Sequence, residues 1–120
     1  MLKIPESQNS PEVILDTDKN KLTIAGNSYL VDPGRYYQLL FNWGEEYKCP
    51  NNKVFHIEIK LGYYSTSSIQ MLNYFLKNLN SRNAGKIFIK FLIDKEDEDL
   101  LETARALTYN TGLKHEIEKY

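Results

Sequence analysis

From Val54 to Leu61 the chain alternates without a break: Phe55, Ile57, Ile59 and Leu61 are apolar, and His56, Glu58 and Lys60 between them are polar. A period of two over eight residues predicts a β-strand with one buried and one wet face. Ile87, Ile89, Phe91 and Ile93 repeat the pattern and predict a second such strand. Between them, from about Ser67 to Leu79, the period changes. Ile69, Leu72, Phe75, Leu76 and Leu79 recur at three- and four-residue intervals, the stripe of an amphipathic helix that ends at the breakers of 80–85.

The flanking segments fit the same alphabet. Glu12 to Leu15 and Lys21 to Ala25 alternate around the turn-forming DTDKN and predict a β-hairpin after an irregular lead-in. Tyr36, Leu39, Leu40, Trp43 and Tyr47 share one helical stripe over about Arg35 to Tyr47, and Cys49-Pro50-Asn51-Asn52 ends it. A third helix is expected over Asp97 to Thr108, with Leu100, Leu101, Ala104 and Leu107 inward, and a short last strand over Leu113 to Ile117. Two strands joined through a helix pair in parallel with a right-handed crossover. The expected architecture is therefore α/β (α+β) in two layers: a mixed sheet of four to five strands with about three helices mainly on one face. The other face carries His56, Glu58, Lys60, Lys86 and Lys90 and stays partly open.

Length and charge narrow the function classes. With 120 residues the chain is expected to form one domain, residues 1–120, around one core. No apolar run approaches the ~18 residues of a membrane span, and no leader pattern is visible at the N-terminus, so a cytoplasmic location is expected. Fifteen basic against sixteen acidic residues, with no basic run along the sequence, offer no driving force for nucleic-acid binding. One cysteine, Cys49, excludes an internal disulfide, and His56 and His115 do not stand at zinc-ligand spacing from it; neither a metal nor a cofactor is expected. The acidic run Asp94 to Asp99 suits a helix N-terminus. There is no glycine-rich phosphate loop and no nucleophile elbow.

What remains is YYSTSSIQ, residues 63–70, with Ser65, Thr66, Ser67 and Ser68 in a row between strand and helix. Ser67 with Gln70 three residues later matches a capping box, which makes Ser67 the expected N-cap. Ser65 and Thr66 then lie on the strand exit, where loops of parallel α/β units gather. Two readings stand: a polar loop with spare hydroxyls, or a phosphoacceptor whose added charge of about −1.5 to −2 alters the surface shown to partners.

The segments SPEVILD (Ser10 to Asp16), KLTIAGNSY (Lys21 to Tyr29), WGEEY (Trp43 to Tyr47), YYSTSS (Tyr63 to Ser68) and the late strand with its acidic tail (Ile87 to Asp99) together resemble the SiaC-type regulatory phosphoproteins. That resemblance implies a STAS-like fold and a partner-switching role like that of the anti-sigma-factor antagonists. In the family a dedicated kinase phosphorylates a threonine, a PP2C-type phosphatase removes the phosphate, and the unmodified protein activates a diguanylate cyclase, with effects on cyclic di-GMP signalling and biofilm behaviour. Carried onto this chain, the phosphoacceptor is Thr66, Ser65, Ser67 and Ser68 shape its loop, and Tyr63 and Tyr64 are candidate partner contacts. The chain departs from the family pattern at Leu30 to Pro33 and at Glu102 to Arg105, which bears on partner identity. Two alternatives stay open beside it: a constitutive protein–protein interaction module, and a small enzyme or ligand-binding domain using His56 and Glu58.

Overall fold

The computed structural model describes residues 1–120. Six strands form one mixed sheet in sequential order: β1 (Leu2–Ile4), β2 (Glu12–Asp16), β3 (Lys21–Ser28), β4 (Phe55–Tyr64), β5 (Ile87–Ile93) and β6 (His115–Lys119). β1, β2 and β3 pair antiparallel, as expected for the hairpin, whereas β3 to β6 pair in parallel. Each parallel connection carries helix: α1 (Pro33–Tyr36) and α2 (Gln38–Glu46), then α3 (Thr66–Arg82), then α4 (Asp99–Thr108). Crossovers of one hand between successive neighbours place all the helices on one side of the sheet.

The sheet has six strands, not four to five, and there are four helices, not three. The additional strand β1 lies in the segment expected to be irregular. Three residues are too few to show a period, and what makes them a strand is pairing of Leu2 with Leu15 and Ile4 with Val13. The additional helix arises because the stripe over 35–47 is interrupted. Asp32 caps α1 by accepting from the Arg35 amide at 3.2 Å, and Pro33 opens the helix where no amide donor is needed. Tyr37 then leaves helical geometry (φ −90°, ψ 6°) and sends a fully buried side chain into the core before α2 begins. The break rotates the stripe, so that Leu39, expected inward, is exposed, and Leu40 and Gly44 face the core. Gly44 is required there: a Cβ would stand 2.6 Å from the Phe75 ring of α3. The third helix starts at Asp99, two residues late, because Asp94 opens a turn first, its carboxylate accepting from the Glu96 amide at 2.9 Å and its carbonyl from the Asp97 amide at 3.0 Å. The last strand is also displaced, to His115–Lys119.

The inward sides of the strands meet the helices as the alternation requires. Val13, Leu22, Ile24, Phe55, Ile57, Ile59, Ile89 and Phe91 pack against Leu72, Leu76, Leu79, Leu100 and Leu107 in one core. Their neighbours on β3, β4 and β5 turn to the uncovered face, in rows set by register: Lys21, His56 and Phe88 in one, Thr23, Glu58 and Lys90 in the next. Ile89→Ala should therefore destabilise the protein by about 2–5 kcal/mol, as core truncations do, whereas Phe88→Ala, which removes a larger ring from the uncovered face, should cost less than about 1 kcal/mol. Urea denaturation of the two variants reads both; equal losses would contradict the assigned faces.

Candidate functional site

The hydroxyl run sits where β4 passes directly into α3. β4 does not keep its alternation to the end. Gly26 pairs with Leu61 but Ser28 with Tyr64, so β4 spends one residue more than β3 over this interval, a β-bulge. The bulge is held by Asn27, whose Oδ1 accepts from the Tyr63 amide at 2.8 Å. It also needs glycine at position 62, where a Cβ would lie 2.8 Å from the Gly26 backbone.

The extra residue reverses which side chains face in. Tyr64 turns inward and is 5% exposed, so it is not the surface contact expected of it. Its hydroxyl is buried without a hydrogen-bond partner. Tyr63 turns outward, is 63% exposed, and packs its ring against Tyr29 at 5.4 Å between centroids. Tyr29, itself 56% exposed, is a neighbour of this segment that periodicity missed, because it lies beyond the end of β3 and is brought to Tyr63 only by the parallel pairing. The two rings share a shallow hollow with Gln8, Asn9 and Asn27.

The four hydroxyls divide three ways. Ser65 is the N-cap of α3: its Oγ accepts from the Ser68 amide at 3.2 Å, and its carbonyl accepts from the Ile69 amide. The expected cap at Ser67, with Gln70 closing the box, is therefore displaced by two residues. The reason is that β4 continues through Tyr64, and the Ser65 amide bonds back to the Ser28 carbonyl at 2.9 Å, leaving no connector. Ser68 is fully buried, one turn before Leu72 on the inward stripe of α3. Its Oγ accepts from Ser65 Oγ at 3.0 Å and from Ser28 Oγ at 2.9 Å, and the Tyr37 hydroxyl completes the chain at 2.7 Å from Ser28. Thr66 and Ser67, the first two residues of the helix, are exposed and their hydroxyls bond to nothing in the protein.

The protein-family comparison matches residues 4–120 to the SiaC family regulatory phosphoprotein model. The chain belongs to the SiaC family. A curated relative from Pseudomonas aeruginosa (strain UCBPP-PA14), described as uncharacterised, is 24% identical over 105 residues, spanning 86% of this chain and 83% of its own. Among solved structures, SiaC of P. aeruginosa in complex with the diguanylate cyclase SiaD, which it activates, superposes with a TM-score of 0.87 at 21% identity over 100% of both chains. A second solved structure, SiaC of P. aeruginosa, superposes with a TM-score of 0.80 at 20% identity over 99% of this chain and 98% of that one. The family is thus one of regulatory phosphoproteins, and the fold is theirs throughout.

The alternative catalytic pair is arranged differently. His56 and Glu58 lie on the uncovered face, where Glu58 pairs with Lys21 at 3.5 Å and His56 lies over Phe88. The acidic segment 94–99 is at the other end of β5 and does not join them. His115 turns its ring to the helix side, with Nδ1 3.3 Å from Thr108 Oγ1.

Two predictions follow from the buried hydroxyls. Ser65→Ala should cost about 0.5–2 kcal/mol through the lost cap, and Ser68→Ala about 1–3 kcal/mol by stranding Ser28 and Ser65, while Thr66→Ala and Ser67→Ala stay within about 0.5 kcal/mol. Denaturant midpoints give the ranking, and a larger loss at Ser67 than at Ser65 would restore the cap to Ser67. Burial pushes the phenols of Tyr37 and Tyr64 above the ordinary tyrosine range. A group that holds its proton more tightly when folded gives stability that is complete below the unfolded value, about pH 10, and is lost as the pH rises above it. Alkaline titration followed by tyrosinate absorbance and circular dichroism should show these two phenols ionising only as the protein unfolds.

Proposed function

We propose that residues 1–120 act as one non-enzymatic regulatory domain in the cytoplasm, a partner switch in which the unmodified protein binds and activates a diguanylate cyclase and phosphorylation of Thr66 blocks that binding. The observation that carries this reading is the state of the Thr66 hydroxyl. It is exposed and unbonded, at the first position of a helix whose cap is supplied by a different residue. A kinase can therefore take it without dismantling the fold, and the helix N-terminus favours the added charge by about 0.3–1 kcal/mol. Tyr63, with Tyr29, supplies an exposed aromatic pair beside it for the output protein. Family membership and the superposition on SiaC in complex with SiaD support a cyclase as that protein. The same reading calls for a cognate serine/threonine kinase and a PP2C-type phosphatase, and it shares with STAS antagonists an acceptor at a helix start.

The test has two parts. Protein purified from its own host should carry a phosphatase-removable phosphate on Thr66 by fragment-ion mass spectrometry. In calorimetric titration against the host's diguanylate cyclase, phosphorylation should weaken binding on the order of a hundredfold, or about 2.8 kcal/mol, Thr66→Asp should weaken it in the same direction, and Thr66→Ala should bind as the unmodified protein does. If phosphorylated and unmodified protein bind alike, Thr66 is not the switch and the constitutive interaction module is the better account.

A further inference from the structure

The uncovered sheet face holds two adjoining hollows at the end where β4 and β5 begin, and they share Lys19 and His56. They differ in character. The first, about 570 Å³, is floored by His56 and Phe88, register partners whose rings lie 6.1 Å apart and 28° from parallel. Phe88 is 51% exposed, an aromatic ring whose neighbours in this trough are mainly polar. The second hollow, about 580 Å³, has Lys53, Lys86, Asn51 and Asn52 in its walls and no carboxylate. Lys86 is held in place by bonds to Asn51 Oδ1 at 2.7 Å and to the Cys49 carbonyl at 3.3 Å, while Lys19 and Lys53 pair with no carboxylate.

The carboxylates of the trough, Glu58 and Glu116, lie at its opposite end, one row beyond His56 and Phe88. Along the strands the order is thus lysines and amides, then the aromatic floor beside Lys21, then a mixed row in which Lys90 stands between Glu58 and Glu116. A cationic patch emerges here from a chain with net charge −1, because folding gathers lysines from four separate segments.

We propose that this trough binds a nucleoside triphosphate, with the base over His56 and Phe88 and the polyphosphate among Lys19, Lys53 and Lys86. Each part has its physical reason. A base stacks on an exposed aromatic ring whatever its identity. Ring amino groups are donors and suit Glu58, whose carboxylate is already paired with Lys21 at 3.5 Å, so that the lysines without a carboxylate partner stand at the Lys19 and Lys53 end. Lysine ammonium groups act as point charges toward phosphate oxygens, in a hollow of ordinary ligand size. The site is independent of the switch: roughly 25 Å of β4 separates His56 from Tyr64 at ~3.3 Å per residue.

The test is titration of the full chain with ATP at low salt, followed by amide chemical shifts, with adenosine and inorganic tripolyphosphate as parallel probes. Saturable shifts confined to the trough, tighter for ATP than for either fragment, are expected. Phe88→Ala should weaken ATP binding by about 5- to 150-fold, the range of one lost stacking contact, and leave tripolyphosphate unchanged. Lys19→Gln with Lys53→Gln should weaken ATP and tripolyphosphate alike and flatten the salt dependence, whereas Thr66→Ala should change nothing. The proposal is overturned if the trough amides do not move at several millimolar ATP. It is overturned equally if tripolyphosphate binds as tightly as ATP, or if an eight-residue oligouridylate binds more tightly, which would make the occupant a nucleic-acid strand.

Discussion

The slip of one residue between β3 and β4 at Gly62 is the constraint on which the hydroxyl run at residues 65–68 depends. Without it the alternation that begins at Phe55 would carry Tyr63 into the core and leave Tyr64 outside. With it, Tyr64 fills the core, Tyr63 meets Tyr29 on the surface, and Ser65 arrives opposite Ser28 with its amide bonded to the Ser28 carbonyl. α3 then has to start at once. That start puts Ser68 on the inward stripe and Thr66 on the outer surface. A single bulge, fixed by the Asn27 carboxamide and by the absence of a side chain at 62, thus decides which hydroxyl faces solvent.

Placing serine at a core position of α3 creates an obligation, because a buried hydroxyl without a partner forfeits its hydration for nothing. Ser28 meets it from β3, and Tyr37 meets Ser28 in turn from the junction of α1 and α2. The three residues come from separate places in the fold, so the chain ties the first helical connection to the second through the last residue of β3. It also accounts for the interruption of the first helix. Tyr37 leaves helical geometry and bonds Ser28, and the stripe of α2 is reset after it. Elsewhere the core is less careful: Tyr47 and Tyr64 bury hydroxyls with no partner at all.

Where local pattern and tertiary packing agree, the sequence was readable. The alternations from Phe55 and from Ile87, the hairpin around DTDKN and the stripe from Leu72 to Leu79 all stand in the structure at or near their expected places. The failures share a cause, which is long-range pairing. β1 exists only because β2 lies beside it; the bulge exists only because Gly26 passes Gly62; the cap moved from Ser67 to Ser65 because Ser28 holds the loop. Serine on the inward stripe was also unreadable, since a hydroxyl next to Thr66 and Ser67 reads as more loop until its buried partner, forty residues earlier, is known. Thr66 itself was reached through the resemblance to the SiaC family, and Tyr29 needed the parallel register. The lysine trough left no trace along the chain because its members come from separate turns and strand starts.

The division of labour among the hydroxyls bears on how a switch can act without unfolding its carrier. Had Thr66 been the cap, a phosphoryl group would have been attached to the very oxygen that closes the first turn, and modification would have been coupled to helix stability. Because Ser65 caps and Ser68 anchors, the charge added at Thr66 meets only solvent and the positive end of the helix dipole, worth at most about 1 kcal/mol and in the favourable direction. The same charge enclosed by a partner loses its hydration, which costs several kcal/mol unless the partner supplies cations. The disparity between these two magnitudes is what allows the proposed modification to act on binding and leave the fold as it is.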